Sequence, residues 1–173
     1  MSARPADARL KVELLNDQHK REEFSCGVDA LDVYLKRQAG QDARKRVATV
    51  YIATADGNAV EGFYTLSSSS VRLSDLPIFV SKRLPRYPSM PVILLGRLAV
   101  SIHRRGEGVG EWLLLKALRS AWAASSYANC IGVVVDAKDD SARQFYLKYD
   151  FIALPNVDDR LILPMGSVEK LLF

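Results

Sequence analysis

At 173 residues, 49% of them apolar and 25% charged, the chain is long enough to bury a proper core, and residues 1–173 are expected to form one domain. No apolar run reaches the roughly 20 residues of a membrane span, and the N-terminus lacks the charged-then-apolar pattern of a secretory leader, which argues against a membrane protein and for the cytoplasm. The net charge is only +4, and Cys26 and Cys130 stand alone without metal-type spacing, so two free thiols and no bound metal are expected.

In chain order, residues 10–15 read as a first strand. Asp29 then opens a helix whose Leu31, Tyr34, Leu35, Gln38 and Ala39 share one side. Two β-rich runs, 47–54 and 60–67, are joined by Asp56-Gly57-Asn58, a strong hairpin signal. Residues 75–91 carry Pro77, Pro85, Pro88 and Pro91 and predict a loop near the active site. Residues 93–100 are rich in branched aliphatic side chains and short enough for a buried strand. Gly106, Gly108 and Gly110 follow, and from Glu111 the apolar residues Leu114, Ala117, Leu118, Ala121 and Trp122 recur at helical spacing. A further aliphatic run, 131–137, precedes KDDSARQFYLKYDF, in which Ala142, Phe145, Tyr146 and Tyr149 share a helical face and Asp139, Asp140 or Ser141 serves as cap. Residues 160–163 and 168–173 read as closing strands.

The stretch RGEGVG, residues 105–110, carries the most chemistry. Without Cβ atoms its backbone adopts unusual angles and approaches a ligand closely. It lies at a helix N-terminus, where free amides and the positive end of the helix dipole favour phosphate, beside Arg104 and Arg105. A dinucleotide fingerprint would need Gly at the first, third and sixth positions, but Glu111 stands at the sixth. The Gly-Lys-Ser/Thr ending of a P-loop is absent too. A plain glycine turn into a helix remains as the structural alternative.

Arg105, Gly108 and Gly110 match the Arg/Gln-x-x-Gly-x-Gly/Ala motif of the GNAT superfamily of N-acetyltransferases, which the segment resembles. The resemblance implies a mixed, mostly antiparallel α/β (α+β) sheet splayed between its fourth and fifth strands and flanked by helices. It implies acetyl-CoA as cosubstrate, its pyrophosphate on Arg104, Arg105, Gly106, Glu107, Gly108, Val109 and Gly110. The pantetheine arm would pair with backbone at Leu98, Ala99 and Val100, in a cleft between strands 94–100 and 131–137. Residues 138–151 resemble the family's Ala-x-x-Phe-Tyr helix ending in Gly-Phe, with Ala142, Phe145, Tyr146 and Phe151 in place. Asp139 stands where the family often has Asn, and Asp150 where it often has Gly.

Tyr146 is the candidate catalytic residue. As an amine attacks the thioester, the departing CoA sulfur gains negative charge, and a hydroxyl within reach protonates it as general acid. The family uses a tyrosine there; packing beside Phe145 and Tyr149 is the structural alternative. The only histidines, His19 and His103, read as solvated or phosphate-adjacent, so no general base is evident. A lysine amine, with a pKa of about 10.4, would need help to become neutral, whereas an α-amine near 8 is already partly neutral.

Cations cluster at Lys36 and Arg37, at Arg44, Lys45 and Arg46, and at Lys82, Arg83 and Arg86. A basic run is usually a solvated face, yet these exceed the needs of one cofactor and would form a track for a nucleic-acid backbone. Residues 24–53, with LGRLAV, RGEGVG and AKDDSARQFY, look like the GNAT toxins of bacterial type II toxin-antitoxin pairs. That resemblance implies acetylation of the α-amine of aminoacyl-tRNA, which blocks translation, together with a homodimer and a ribbon-helix-helix antitoxin. A GNAT enzyme acting on a small amine, an antibiotic or a protein N-terminus, and a non-catalytic CoA-binding module, are the other readings.

Overall fold

The computed structural model describes residues 9–173. Its elements in chain order are β1 (Lys11–Leu14), α1 (Asp29–Val33), a wide π turn (Tyr34–Gln38), α2 (Ala39–Arg44), β2 (Thr49–Thr54), β3 (Gly62–Arg72), α3 (Ile78–Ser81) and β4 (Ser89–Val100). They are followed by α4 (Val109–Ser125), β5 (Gly132–Asp136), α5 (Asp140–Lys148), β6 (Ile152–Ala153), β7 (Arg160–Pro164) and α6 (Met165–Leu172). The strands form one sheet in the order β1-β2-β3-β4-β5-β7-β6. Antiparallel pairs join β1 to β2, β2 to β3, β5 to β7 and β6 to β7, while β4 and β5 run parallel. The mixed, mostly antiparallel sheet implied by the sequence is therefore present.

Contacts group the chain into two compact units, Met1–Ser67 with Arg97–Ala117, and Ser68–Gly96 with Leu118–Phe173. In the first unit, the 56–58 turn behaves as its sequence dictates. Gly57 has φ +86°, and the Asp56 carboxylate accepts from the amides of Asn58 and Ala59 at 2.8 and 2.9 Å, an Asx turn that sets the β2–β3 register. The helical segment folds around the π turn, which brings Tyr34, Leu35 and Ala39 inward against Phe24, Val50, Ile52, Phe63 and Ala99. Gln38, expected on the same side, is exposed, because the wider turn rotates it out of the 3.6-residue phase. It donates instead to Asp42 at 2.9 Å, and the Tyr34 hydroxyl donates to the same carboxylate at 2.8 Å.

In the second unit, Val133, Val134 and Val135 are all buried, the continuous apolar run of a strand covered on both faces. Val71, Leu76, Met90, Val92, Leu154 and Ile162 pack with Val134. Each such fully buried aliphatic side chain contributes roughly 1.5–3 kcal/mol of transfer free energy. Gly132 is required by packing: a Cβ there would lie 2.6 Å from the Leu163 carbonyl oxygen.

Three elements differ from expectation. The segment 168–173, read as a strand, belongs to α6; with Pro164 opening the helix, Met165, Val168 and Leu172 recur at helical spacing and Val168 is fully buried. The proline-rich stretch, expected as a loop, contains α3, and β4 begins at Ser89, so Pro91 lies within that strand, ahead of the first β4–β5 pair. β3 runs on through Ser67, Ser68, Ser69 and Ser70 to Arg72. Among the described residues no helix is long and apolar enough to cross a membrane.

Candidate active site

The β4–β5 ladder consists of Ile93↔Val133, Leu94↔Val134 and Leu95↔Val135. It stops there although β4 continues to Val100 and β5 ends at Asp136. This is the splay: among the described residues, 97–100 pair with no residue of β5, and backbone groups left so are available to a ligand that pairs like a strand. Ala99 is buried, and Leu98 and Val100 on either side of it are half-buried, so the three expected pantetheine contacts sit on strand backbone anchored by one inward methyl.

After β4 the chain turns sharply. Ser101 caps a single 3-10 turn, its hydroxyl accepting from the His103 amide at 3.3 Å. Gly106 and Gly108 have φ of +78° and +79°, the left-handed region that costs an L-residue roughly 1–2 kcal/mol. Gly110 has no such angle and lies in α4, where a Cβ would meet only the Val100 Cγ2 at 3.9 Å. The first helical hydrogen bond runs from the Trp112 amide to the Gly108 carbonyl at 3.1 Å. The amides of Val109, Gly110 and Glu111 therefore open the helix with no i−4 carbonyl to bind. The loop thus combines two left-handed glycines with free amides at the opening of α4.

The two arginines beside it are less free than the sequence suggests. Arg104 donates through Nε to Glu61 at 3.0 Å and lies 3.8 Å from Glu107, while one Glu107 oxygen is buried with no hydrogen-bond partner. Arg105 donates to the Cys26 carbonyl at 3.1 Å, and its guanidinium occupies the space a side chain on Gly27 would need. Glu61 is absent from any sequence motif; 43 residues separate it from Arg104.

Tyr146 lies on α5 as expected. Asp139 is the cap, its carboxylate accepting from the Ala142 amide at 2.8 Å. At the other end the Phe151 amide donates to the Tyr146 carbonyl at 3.3 Å, and the Asp150 amide to the Leu147 carbonyl at 3.2 Å. Asp150 has φ +70°, so the helix closes in a Schellman motif with Asp150 in the left-handed position. Its customary apolar contact is Tyr146 against Phe151, ring centroids 5.2 Å apart, and Phe145 packs edge-on at 5.2 Å. Tyr146 is 8% exposed, and burial alone pushes its phenol up to about 12. Its hydroxyl makes no hydrogen bond among the described residues, so its proton is held and uncommitted. Ala142 and Phe145 are half-buried on the same helix.

One of the two histidines departs from the sequence expectation. His103 is exposed, as foreseen, but His19 is buried, its Nε2 2.7 Å from Glu13 and its Nδ1 accepting from the Asn16 amide at 3.0 Å. It clips the end of β1. Cys26 is buried and Cys130 half-buried, neither in a disulfide among the described residues, and burial raises the Cys130 thiol, which disfavours an acyl-cysteine route.

Of the basic residues, Arg37, Arg44, Lys45 and Arg46 are exposed and Lys36 half-buried, all on or just after the helical segment. Lys82, Arg83 and Arg86 are exposed in the segment that follows α3. No carboxylate lies within ion-pair distance of any of these among the described residues. The sequence gives no sign of Arg97, whose guanidinium stacks 3.5 Å from the Tyr34 ring centroid; standing between Gly96 and Leu98 in LGRLAV, it carries no periodic signal.

No model of a known protein family matches the chain. A tRNA-acetylating toxin of Mycobacterium tuberculosis is 35% identical over 149 residues, which cover 86% of this chain and 88% of that protein. Among solved structures, a tyrosine-to-phenylalanine variant of KacT superposes with a TM-score of 0.88 at 30% identity, covering 94% of this chain and 99% of KacT. AtaT in complex with acetyl-methionyl-tRNAfMet gives 0.87 at 30% identity, covering 95% and 99%. A tyrosine-to-phenylalanine variant of AtaT bound to the C-terminus of the antitoxin AtaR and to acetyl-CoA gives 0.80 at 27% identity, covering 94% and 98%.

Proposed function

Because the chain belongs to the family of the tRNA-acetylating toxins, with their GNAT fold, we propose that it transfers the acetyl group of acetyl-CoA to the α-amine of an aminoacyl-tRNA and so blocks translation. The observation that carries this reading is the β4–β5 ladder that stops at Leu95↔Val135 while β4 runs on into a phosphate-type glycine loop. Acetyl-CoA is the cosubstrate: the backbone of Leu98, Ala99 and Val100, past the end of the β5 ladder, takes the pantetheine arm. The amides from Gly106 to Gly110 take the pyrophosphate, with Arg105 adding charge. The relative bound to acetyl-CoA supports this assignment. The whole chain serves as one acetyltransferase domain acting in the cytoplasm.

Transfer is direct, in a ternary complex. The neutral α-amine attacks the thioester carbonyl, a backbone amide of residues 98–100 stabilises the oxyanion, the C–S bond breaks as Tyr146 gives its proton to the departing sulfur, and the proton lost by the acylated nitrogen passes to solvent, from which the phenolate is reprotonated. A phenol held at about 12 stays protonated at cellular pH, as a general acid must. Lys36, Arg37, Arg44, Lys45, Arg46, Lys82, Arg83 and Arg86 bind the tRNA backbone. The chain acts as a homodimer and is restrained by a ribbon-helix-helix antitoxin; the AtaT complex with the AtaR C-terminus supports an antitoxin partner.

Incubation with acetyl-CoA and total charged tRNA, followed by mass analysis of the aminoacyl groups, tests the reading. Acetylated aminoacyl-tRNA is expected, with Tyr146→Phe reducing turnover by at least about 100-fold, the usual scale of lost general acid catalysis, while acetyl-CoA binding persists. Turnover on small amines with no acetylated tRNA would assign a different acceptor.

A further inference from the structure

Between β3 and β4 the chain builds a second concave surface. β3 ends at Arg72, a 3-10 turn covers Leu73–Asp75, α3 follows, and β4 starts at Ser89. The Leu73 amide donates to the Pro88 carbonyl at 3.0 Å, and Leu73, Leu76, Val80 and Leu84 belong to the apolar cluster below, so the backbone is fixed from inside. The surface left outside is an open groove of about 710 Å³ lined by Arg72, Leu73, Ser74, Leu76, Ile78, Ser81, Arg86, Tyr87, Pro88 and Ser89.

The lining has one sign of charge. It holds two guanidinium groups, three serine hydroxyls and no carboxylate. Neither Arg72 nor Arg86 has an ion-pair partner among the described residues, and the exposed Lys82 and Arg83 sit close by in sequence. Tyr87 is 65% exposed and lines the groove together with the two arginines. Fixed forks of N–H donors suit phosphate oxygens, and an exposed ring offers a stacking face to a base. Paired bases are already stacked and present only edges, so a ring in this position suits unpaired nucleotides. The volume is that of a small-molecule site, in the range of about 300–1,000 Å³, enough for a short unpaired stretch and too small for a stem.

We propose that this groove is an RNA subsite that seats unpaired nucleotides of the charged tRNA, phosphates on Arg72 and Arg86 and a base on Tyr87. The inference rests on the aminoacyl-tRNA reading above and adds a place and a chemistry for the single-stranded part of that substrate. It also gives the basic residues after α3 a binding partner in the groove beside them.

Three variants, Tyr87→Ala, Tyr87→Trp and Arg72→Gln/Arg86→Gln, carry the test, with acetyl-CoA affinity by calorimetry as the control for an intact fold and donor site. Tyr87→Ala is expected to raise KM for aminoacyl-tRNA about tenfold, the scale of one lost base stack, and Tyr87→Trp to restore it. The double arginine variant should raise KM and flatten its dependence on salt by about two phosphate contacts. Acetylation of an amino acid methyl ester should be unchanged in the two Tyr87 variants. A short single-stranded oligoribonucleotide should compete with aminoacyl-tRNA for the wild-type protein and not for Tyr87→Ala, whereas a hairpin without overhang should not compete. Unchanged KM for aminoacyl-tRNA in Tyr87→Ala would overturn the proposal. So would loss of dimerisation or antitoxin binding with that KM intact, which would assign the groove to a protein partner. If the wild-type protein binds the oligoribonucleotide through Tyr87 but acetylates no aminoacyl-tRNA, the groove stands and the acceptor reading falls.

Discussion

Gly108 and Gly110, two residues apart in the same motif, should respond in opposite ways to one added methyl group. At Gly108 φ is +79°, and alanine there carries the left-handed penalty of roughly 1–2 kcal/mol, offset in part by about 0.4–1 kcal/mol of lost unfolded-state entropy. The loop then either keeps its shape and loses stability or relaxes and turns its amides away from the pyrophosphate. Losing even one charge-assisted hydrogen bond costs about 1.5–3 kcal/mol, tenfold or more in acetyl-CoA affinity. At Gly110 the angle is ordinary, and the methyl group would meet the Val100 Cγ2 at 3.9 Å, a normal contact. Alanine there gains part of the roughly 1 kcal/mol by which it exceeds glycine in a helix, a rise of up to about 2–4 °C in Tm. Urea unfolding and calorimetric titration with acetyl-CoA, run on both variants, decide the matter. Equal loss of affinity in the two would refute the reasoning, because open space rather than backbone angle would then be what the ligand needs.

Because burial holds the Tyr146 phenol at about 12, above its ordinary 10, the neutral form survives in the folded protein; kcat/KM should rise through pH ~8 as the α-amine deprotonates and stay level past pH 10, and a fall centred near 10 would mean a solvated phenol. By the same sign, the stability this group contributes is fully present below pH 10 and lost between there and 12, which pH-dependent unfolding measures. Arg104 is expected to act as a latch through Glu61 rather than as a phosphate ligand: Arg104→Glu should weaken acetyl-CoA binding several-fold, and Arg104→Glu/Glu61→Arg should recover most of it, whereas no recovery would return Arg104 to the phosphate. Asp150→Gly should stabilise the fold by roughly 0.5–1 kcal/mol by relieving a left-handed residue, read as a small rise in Tm with turnover unchanged.

What the sequence showed and hid follows from the range of the interactions involved. Capping of α5 by Asp139, the 56–58 turn and the glycine loop are decided within a few residues, so a linear reading finds them. The resemblance flagged Asp150 as a departure from glycine, and the structure gives the reason that position matters: a left-handed residue closes α5 and sets Phe151 against Tyr146. The π turn left no trace, since its wider spacing only blurs a 3.6-residue pattern, and Gln38 was placed inside for that reason. Residues 168–173 fail differently: VEKLLF fits both periods, and only the proline at 164 and the packing of Val168 choose the helix. The Arg104–Glu61 pair and the groove at Tyr87 depend on chain segments that meet only after folding.

The chemistry of the acceptor follows from what the two histidines do. His19 is held by Glu13 and the Asn16 amide, and His103 is exposed, so neither is set up to take a proton from an incoming amine. The acceptor must then bring its own neutrality. An α-amine at about 7.7–8.0 against a lysine at about 10.4 differs by roughly 2.5 pKa units, or about 3.4 kcal/mol in the free energy of reaching the neutral form. That is a few hundredfold in the concentration of nucleophile, with no residue spent on base catalysis. Esterification to tRNA withdraws electrons from the amine and moves its pKa further in the same direction. On the proposed transfer, a site with a tyrosine acid and no base among its two histidines selects its acceptor class by basicity before any contact with RNA is made, and the RNA contacts have only to choose among α-amines.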